Sequence, residues 1–224
     1  MLARTTQLAN QALVLKDIYE LERFPRNSFD FVLDLGANIG VFSRTLRTLN
    51  RKAKIIALEP NKQNFSWLSD NLIGLDITLD NRALGNGELL WFRAEKTPHP
   101  LDHRFMESEP IGETYQIPSE RLGTLFHAYN GFGDYCIKIN CEGGEQYLLG
   151  DLEAEEVLRG AKKVGLMIHF PGSKSAHNDC PTWKEYTTWI NGVLSATHDI
   201  RYGYSDRRRG RGIFNAIRRG ERGV

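Results

Sequence analysis

Short apolar runs alternate with segments of helical periodicity through most of this chain, the pattern of a parallel sheet covered on both faces. "FDFVLDL" reads as a buried first strand and "VFSRTLRTLN" as the helix that follows it. "KIIALE" predicts a second strand, stopped by Pro60, and Asn61 is placed to cap the helix "KQNFSWLSDNL", whose Phe65, Leu68 and Leu72 share a face. "ITLDNRAL" predicts a third, weaker strand. "YCIKIN" and "KVGLMIHF" are further buried strands, separated by a helix around "EQYLLGDLEAEEVLRG", and "TWKEYTTWINGVLSA" is the last helix.

The end of the chain departs from this rhythm. "DIRYGYS" and "GIFNAIRR" are two strand patterns joined only by "DRRRGRG". A connection that short allows a hairpin but no crossover helix, so the final strand should run antiparallel to its neighbour. Residues 85–118 also break the alternation. They hold one edge-strand pattern, "ELLWFRAE", among Gly, Pro and His, and suit a substrate loop or lid. The expected organisation is one domain over residues 1–224, opened by an amphipathic helical segment at 1–24. That segment carries acids and lacks the apolar core of a signal peptide.

At 224 residues, 41% hydrophobic and 25% charged, the chain can bury a full core. No apolar run approaches the ~20 residues of a membrane span. Cys136, Cys141 and Cys180 form no Cys-x-x-Cys pair, which argues against a disulfide framework or a zinc site and fits a reducing cytoplasm. His99 and His103 have the spacing of helical metal ligands, but Pro98 and Pro100 forbid the helix, so no metal is expected. Net charge is +1 but uneven: eight arginines against Asp206 and Glu221 give residues 201–224 a charge of +6, leaving −5 on the rest. An acidic body with a basic end hints at an anionic partner.

The join of the first strand and helix is a glycine turn, Asp34-Leu-Gly36-Ala-Asn38-Ile-Gly40. A dinucleotide site would need Gly where Asn38 and Val41 stand, and a phosphate-binding P-loop would need Gly-Lys-Ser/Thr. The turn is open enough for close ligand contact without a phosphate cradle. Glu59 ends the second strand 19 residues beyond Gly40. At the cleft where adjacent strand ends meet, its carboxylate can accept two hydrogen bonds from a ribose diol. A nucleoside without a pyrophosphate points to S-adenosylmethionine.

"VLDLGANIGVFS", "ALEPNKQNFSWLSDN", "IKINCEGGEQYLL" and the terminal "IFNAIRR" together resemble the successive motifs of FkbM-type methyltransferases. These are S-adenosylmethionine-dependent enzymes that most often O-methylate hydroxyls of sugars or related metabolites. The likeness runs from about Val32 to Arg219. It implies an α/β, Rossmann-like class I methyltransferase fold, with a seven-stranded, mostly parallel sheet and an antiparallel last strand. Carried over by position, Asp34, Gly36, Asn38 and Gly40 would line the methionine end of the cofactor, Glu59 the ribose, and Asn81 and Ala83 the adenine. The family's third motif usually reads Lys-Ile-Asp-x-Glu-Gly-x-Glu. Here Asn140 fills the aspartate slot, beside the methyl group in this fold. The Glu-x-His that often ends strand five is Met167-Ile-His169.

A neutral hydroxyl acceptor benefits from a base. His169 titrates near neutral pH, ends a strand next to that of Asn140, and is the preferred base. Glu142 and Glu145 flank glycines that open a helix, where the dipole lowers their basicity. Lys138, in an apolar strand, should pair with one of these glutamates. Arg207, Arg208, Arg209 and Arg211 are either a solvated turn or a clamp for phosphate. The expected function is methyl transfer from S-adenosylmethionine to a hydroxyl of a small sugar-like or phosphorylated acceptor. Two other classes stay open. One is an RNA methyltransferase using the arginine hairpin, although the chain lacks an appendage with interleaved aromatics. The other is a non-catalytic cofactor-binding module, which the neutral Asn140 and Met167 would fit.

Overall fold

The computed structural model describes residues 18–23, 25–93, 105–106, 114–170, 181–206 and 210–220. The glycine turn joins β1 (Phe31–Leu35) to α1 (Val41–Leu49), followed by β2 (Lys54–Leu58), α2 (Lys62–Leu72) and β3 (Thr78–Asp80). Asn61 caps α2 by accepting from the Asn64 N–H at 2.9 Å. Further along lie β8 (Tyr135–Ile139), α4 (Leu152–Gly160), β9 (Lys163–His169), α5 (Trp183–Leu194), β10 (His198–Asp206) and β11 (Arg211–Arg218). The main sheet has seven strands in the order β10-β11-β9-β8-β1-β2-β3. Its pairs are parallel from β3 to β9. β11 runs antiparallel to both β9 and β10, as the short connection required.

Both faces are covered. On one, Leu33, Ile137 and Leu166 pack against Leu125 of α3 (Leu122–Ala128), Val157 of α4 and Ile190 of α5. On the other, Val32, Ile55 and Cys136 meet Phe42 and Leu46 of α1 together with Tyr19 and Leu21. Ala57 meets Leu68 and Leu72 of α2 on that side.

Four expectations differ. "ITLDNRAL" is not one strand: Arg82 turns back to grip Asp80, and the chain then leaves the main sheet as β4 (Ala83–Leu84). With β5 (Leu89–Arg93), β6 (Phe105–Met106) and β7 (Thr114–Glu120) it forms a second sheet, ordered β4-β7-β5-β6. β5 therefore lies between β7 and β6, not at an edge. The segment "EQYLLGDLEAEEVLRG" divides into a 3-10 helix, Gly144–Leu148, and α4. Asp151 restarts the helix there by accepting from the N–H groups of Glu153 and Ala154. α3 was not foreseen, because its apolar residues occupy barely two turns. The segment expected at 1–24 lies outside the described residues except for 18–23, where Leu21–Arg23 is a 3-10 turn. The substrate-loop expectation falls partly on β5, β6 and β7 and otherwise outside them, as do His99, His103, Cys180, Arg207, Arg208 and Arg209.

Candidate active site

β1 leads towards β2 and β3, while β8 leads away towards β9, so a crevice opens at their carboxyl ends, where ligands bind in open α/β sheets. Beneath it lies a buried ion pair. Lys138 Nζ is 2.9 Å from Asp34 Oδ1 and donates to the carbonyls of Leu35 (3.1 Å) and Gly36 (2.5 Å). Ser43 Oγ donates to Asp34 Oδ2 at 2.7 Å. Asp34 is 0% exposed and braces the glycine turn from below. Lys138 pairs with Asp34 and not with a glutamate. The register explains this correction, because Asp34 and Lys138 are direct neighbours on one face of the sheet.

The two glycines serve the backbone more than a ligand. Gly36 holds φ +74°, and a Cβ there would run into the backbone carbonyl of Asn140, with its carbon at 2.8 Å. Gly40 holds φ +86°, and its Cβ would meet Leu68 Cδ1 at 2.8 Å and Leu72 Cγ at 2.9 Å. Both let the turn close onto β8 and α2. Gly36→Ala is therefore expected to destabilise the fold by at least about 2 kcal/mol, through a strained φ and a clash with main chain. Chemical denaturation checks this; a variant of wild-type stability would show that the turn can move off Asn140.

Glu59 is 5% exposed, more buried than a cleft surface residue. Its Oε2 accepts from the Asn38 N–H at 2.8 Å and its Oε1 from the Asn61 N–H at 2.9 Å, tying the ends of β1 and β2 together. Burial pushes its pKa up to about 7, against the pull of those two N–H groups and of Lys138. Each carboxylate oxygen accepts one backbone bond and the Asn64 side chain adds a third, which leaves acceptor capacity for one hydroxyl donor. A hydroxyl of a ribose diol fits this remaining acceptor. Because a diol donates best to the ionised form, cofactor affinity is expected to fall about tenfold per pH unit below pH 7. Calorimetry between pH 5.5 and 8 reads this directly, and a flat profile would remove Glu59 from the contact.

Asn140 follows β8, and its Oδ1 is buried with no hydrogen-bond partner among the described residues, an acceptor set at the crevice. Asn38 is half-buried with φ +53°, presenting the turn's outer side. Asn81 Nδ2 donates to the carbonyls of Glu59 (2.7 Å) and Pro60 (3.2 Å), so it props up the strand end. Ala83 packs with Leu90, Phe92 and Ile117 in the core of the second sheet, which corrects its assignment to an adenine contact.

At the ends of β8 and β9 three ionisable side chains form a series. Glu145 is fully buried and accepts from the N–H groups of Cys141 and Gly143. His169 Nδ1 is 3.3 Å from both Glu145 oxygens, and its Nε2 is 3.2 Å from Glu142 Oε2. The side chains are 0%, 2% and 29% exposed for Glu145, His169 and Glu142. Burial works to lower the His169 pKa, but Glu142 and Glu145 together outweigh it and raise it to about 9, with Arg211 opposing. His169 is thus an imidazolium at neutral pH, not the neutral base expected from its ordinary value. Glu142 holds φ +51°, an uncommon conformation for a residue with a side chain and one that clusters at functional sites.

Two residues were missed. Tyr19 lies in a notch at Gly165, where a Cβ would meet its Cδ1 at 2.6 Å, and its ring meets Phe42 edge-on at 5.3 Å. It shields the face of the sheet beside Lys138, and Asn215 Nδ2 fastens the preceding Ile18 carbonyl at 2.8 Å. Tyr115 of β7 accepts from Asn61 Nδ2 at 3.0 Å, bringing the second sheet against the Glu59 loop. Neither carries a local signal, since each acts through contacts distant in sequence. Among the described residues, no cluster of His, Cys, Asp or Glu is placed to hold a metal ion, and no helix is long and apolar enough to cross a membrane.

A parallel sheet with a reversed strand, and a glycine turn tied to an acidic strand end, are the architecture of the class I methyltransferase fold. A family model for the methyltransferase FkbM domain matches residues 34–170, more than half of the chain, and the chain belongs to that family. No curated protein is matched. Among solved structures, an FkbM methyltransferase from Methylobacillus flagellatus superposes with a TM-score of 0.53 at 15% identity, over 85% of this chain and 44% of that one. This chain thus spans less than half of that protein's length. A Clostridium thermocellum protein provisionally assigned as an rRNA methylase gives 0.52 at 8% identity, over 92% and 95% of the two chains. The N-terminal domain of EvdMO1, with S-adenosylhomocysteine bound, gives 0.50 at 11% identity, over 95% and 81%. At such identities these likenesses show the fold alone.

Proposed function

We propose that the protein transfers the methyl group of S-adenosylmethionine to a hydroxyl of a small sugar-like or phosphorylated acceptor, with Glu142 taking the hydroxyl proton. The observation that supports this most is the Glu145–His169–Glu142 series, whose solvent-reaching member is Glu142. The bound cofactor supplies a methyl carbon made electrophilic by its sulfonium. The chain has to hold the acceptor oxygen in line and remove its proton.

His169 already carries a proton between two carboxylates and cannot take another. Its Nε2 instead faces Glu142 as an ion pair at 3.2 Å, while buried Glu145 holds the ring through Nδ1. Glu142 lies two residues beyond Asn140 in the segment after β8 and holds φ +51° there. Asn140 and Met167 keep further negative charge away, so one imidazolium faces two carboxylates and the series carries a net −1. Around Glu59 the ribose end would be held as described above. The free thiols of Cys136 and Cys141 support a reducing, cytoplasmic setting.

The test is formation of S-adenosylhomocysteine from S-adenosylmethionine with sugars, sugar phosphates and RNA offered in parallel. Acceptor-dependent formation with the small hydroxyl compounds is expected. Cofactor binding without turnover on any acceptor would favour a binding module, and turnover on RNA alone would favour an RNA methyltransferase.

A further inference from the structure

β11 begins at Arg211, the antiparallel register partner of His169, so the two side chains share a face of the sheet. The Gly210 carbonyl accepts from the Phe170 N–H at 2.8 Å, fastening the hairpin to the end of β9. The described start of β11 therefore brings Arg211, one of the arginines singled out in the sequence, to the active-site rim. Arg211 is half-buried and makes no hydrogen bond or ion pair among the described residues. Asp206 is its register partner on the edge strand. The Glu145–His169–Glu142 series carries a net −1, which offsets the charge of Arg211 overall, but none of its carboxylates bonds the guanidinium.

A half-buried guanidinium whose N–H groups lack acceptors is a cost that a bound anion would remove. Its planar fork suits a carboxylate or phosphate held by two parallel bonds. Building on the proposed hydroxyl transfer, we infer that Arg211 anchors the acceptor, which carries a phosphate or carboxylate close to the hydroxyl that Glu142 deprotonates. Register partners lie about 5 Å apart, so anion and reacting oxygen are separated by a few bonds.

Inorganic phosphate titrated into the full chain saturated with S-adenosylhomocysteine tests this, followed by the NMR signals of Arg211 Nε–Hε and the His169 ring. Saturable movement of both signals is expected, abolished in Arg211→Gln with cofactor affinity unchanged. Movement reproduced by sodium chloride at equal ionic strength, or surviving in Arg211→Gln, would overturn the assignment. So would movement seen in Asp206→Asn but not in wild type, since Asp206 would then be the counter-ion. In turnover, glucuronate or glucose 1-phosphate should exceed glucose in kcat/KM by about 10–100-fold, and Arg211→Gln should erase the difference. Equal rates would overturn the anchor while leaving hydroxyl transfer standing. Failure of every hydroxyl compound would count against hydroxyl transfer, and the phosphate titration would still decide on Arg211.

Discussion

The Glu142→Gln enzyme is expected to turn over about 10²–10⁴-fold more slowly than wild type, the range for losing a general base, with cofactor affinity unchanged. Glutamine keeps the length of the side chain but cannot take the acceptor's proton. The pH dependence separates Glu142 from His169. The folded pKa of His169 is raised to about 9 from an ordinary 6.5, so the ion series contributes fully below pH 6.5 and is lost as pH rises through 9. With Glu142 as base, turnover stays level between pH 6.5 and 8 and declines above 9, as the imidazolium paired with it disappears. With His169 as base, turnover would climb about tenfold per pH unit up to 9, and Glu142→Gln would be mild. A discontinuous assay of both enzymes over pH 6–10 decides between the two.

Lys138→Met is expected to destabilise the protein by about 3–5 kcal/mol, because it leaves Asp34 charged and unpaired in the interior. For a chain of this size that lowers Tm by about 6–20 °C. The carbonyls of Leu35 and Gly36 lose their donor in the same step, so the glycine turn loosens and cofactor affinity falls with stability. Adding Asp34→Leu removes the stranded carboxylate and should recover much of the lost Tm, though not the affinity. Thermal unfolding of the two single variants and the double variant tests this cycle. A single variant within about 3 °C of wild type would mean that the pair is not the anchor of the turn.

These two variants probe parts of the site that differ in how far local sequence foretells them. The alternation of β1, α1, β2 and α2, the cap at Asn61 and the reversal of β11 all follow from neighbouring residues. Periodicity, a stop at Pro60 and a connection too short for a helix suffice for them. That the glycine turn and Glu59 share one crevice is legible as a spacing, since the ends of adjacent parallel strands must meet, but the Asn38 N–H bond that ties them is not. By contrast, β4 reads as a continuation of β3 and β5 as an edge strand, because β-pairing depends on partners far along the chain, and Arg82 ends β3 through a side-chain contact that periodicity does not register.

By itself, then, the sequence determined the class of fold, the place of the crevice and the chemical types around it, because each depends on the order of short elements. The tertiary structure decided what those residues do. Gly36 is glycine because the Asn140 carbonyl comes from another strand to lie against it, and Lys138 holds Asp34 because parallel register sets them side by side. His169 is charged rather than neutral because two carboxylates from the loop after β8 overcome the cost of burying it. That balance of desolvation against Coulomb attraction depends on distances, which residue order does not specify.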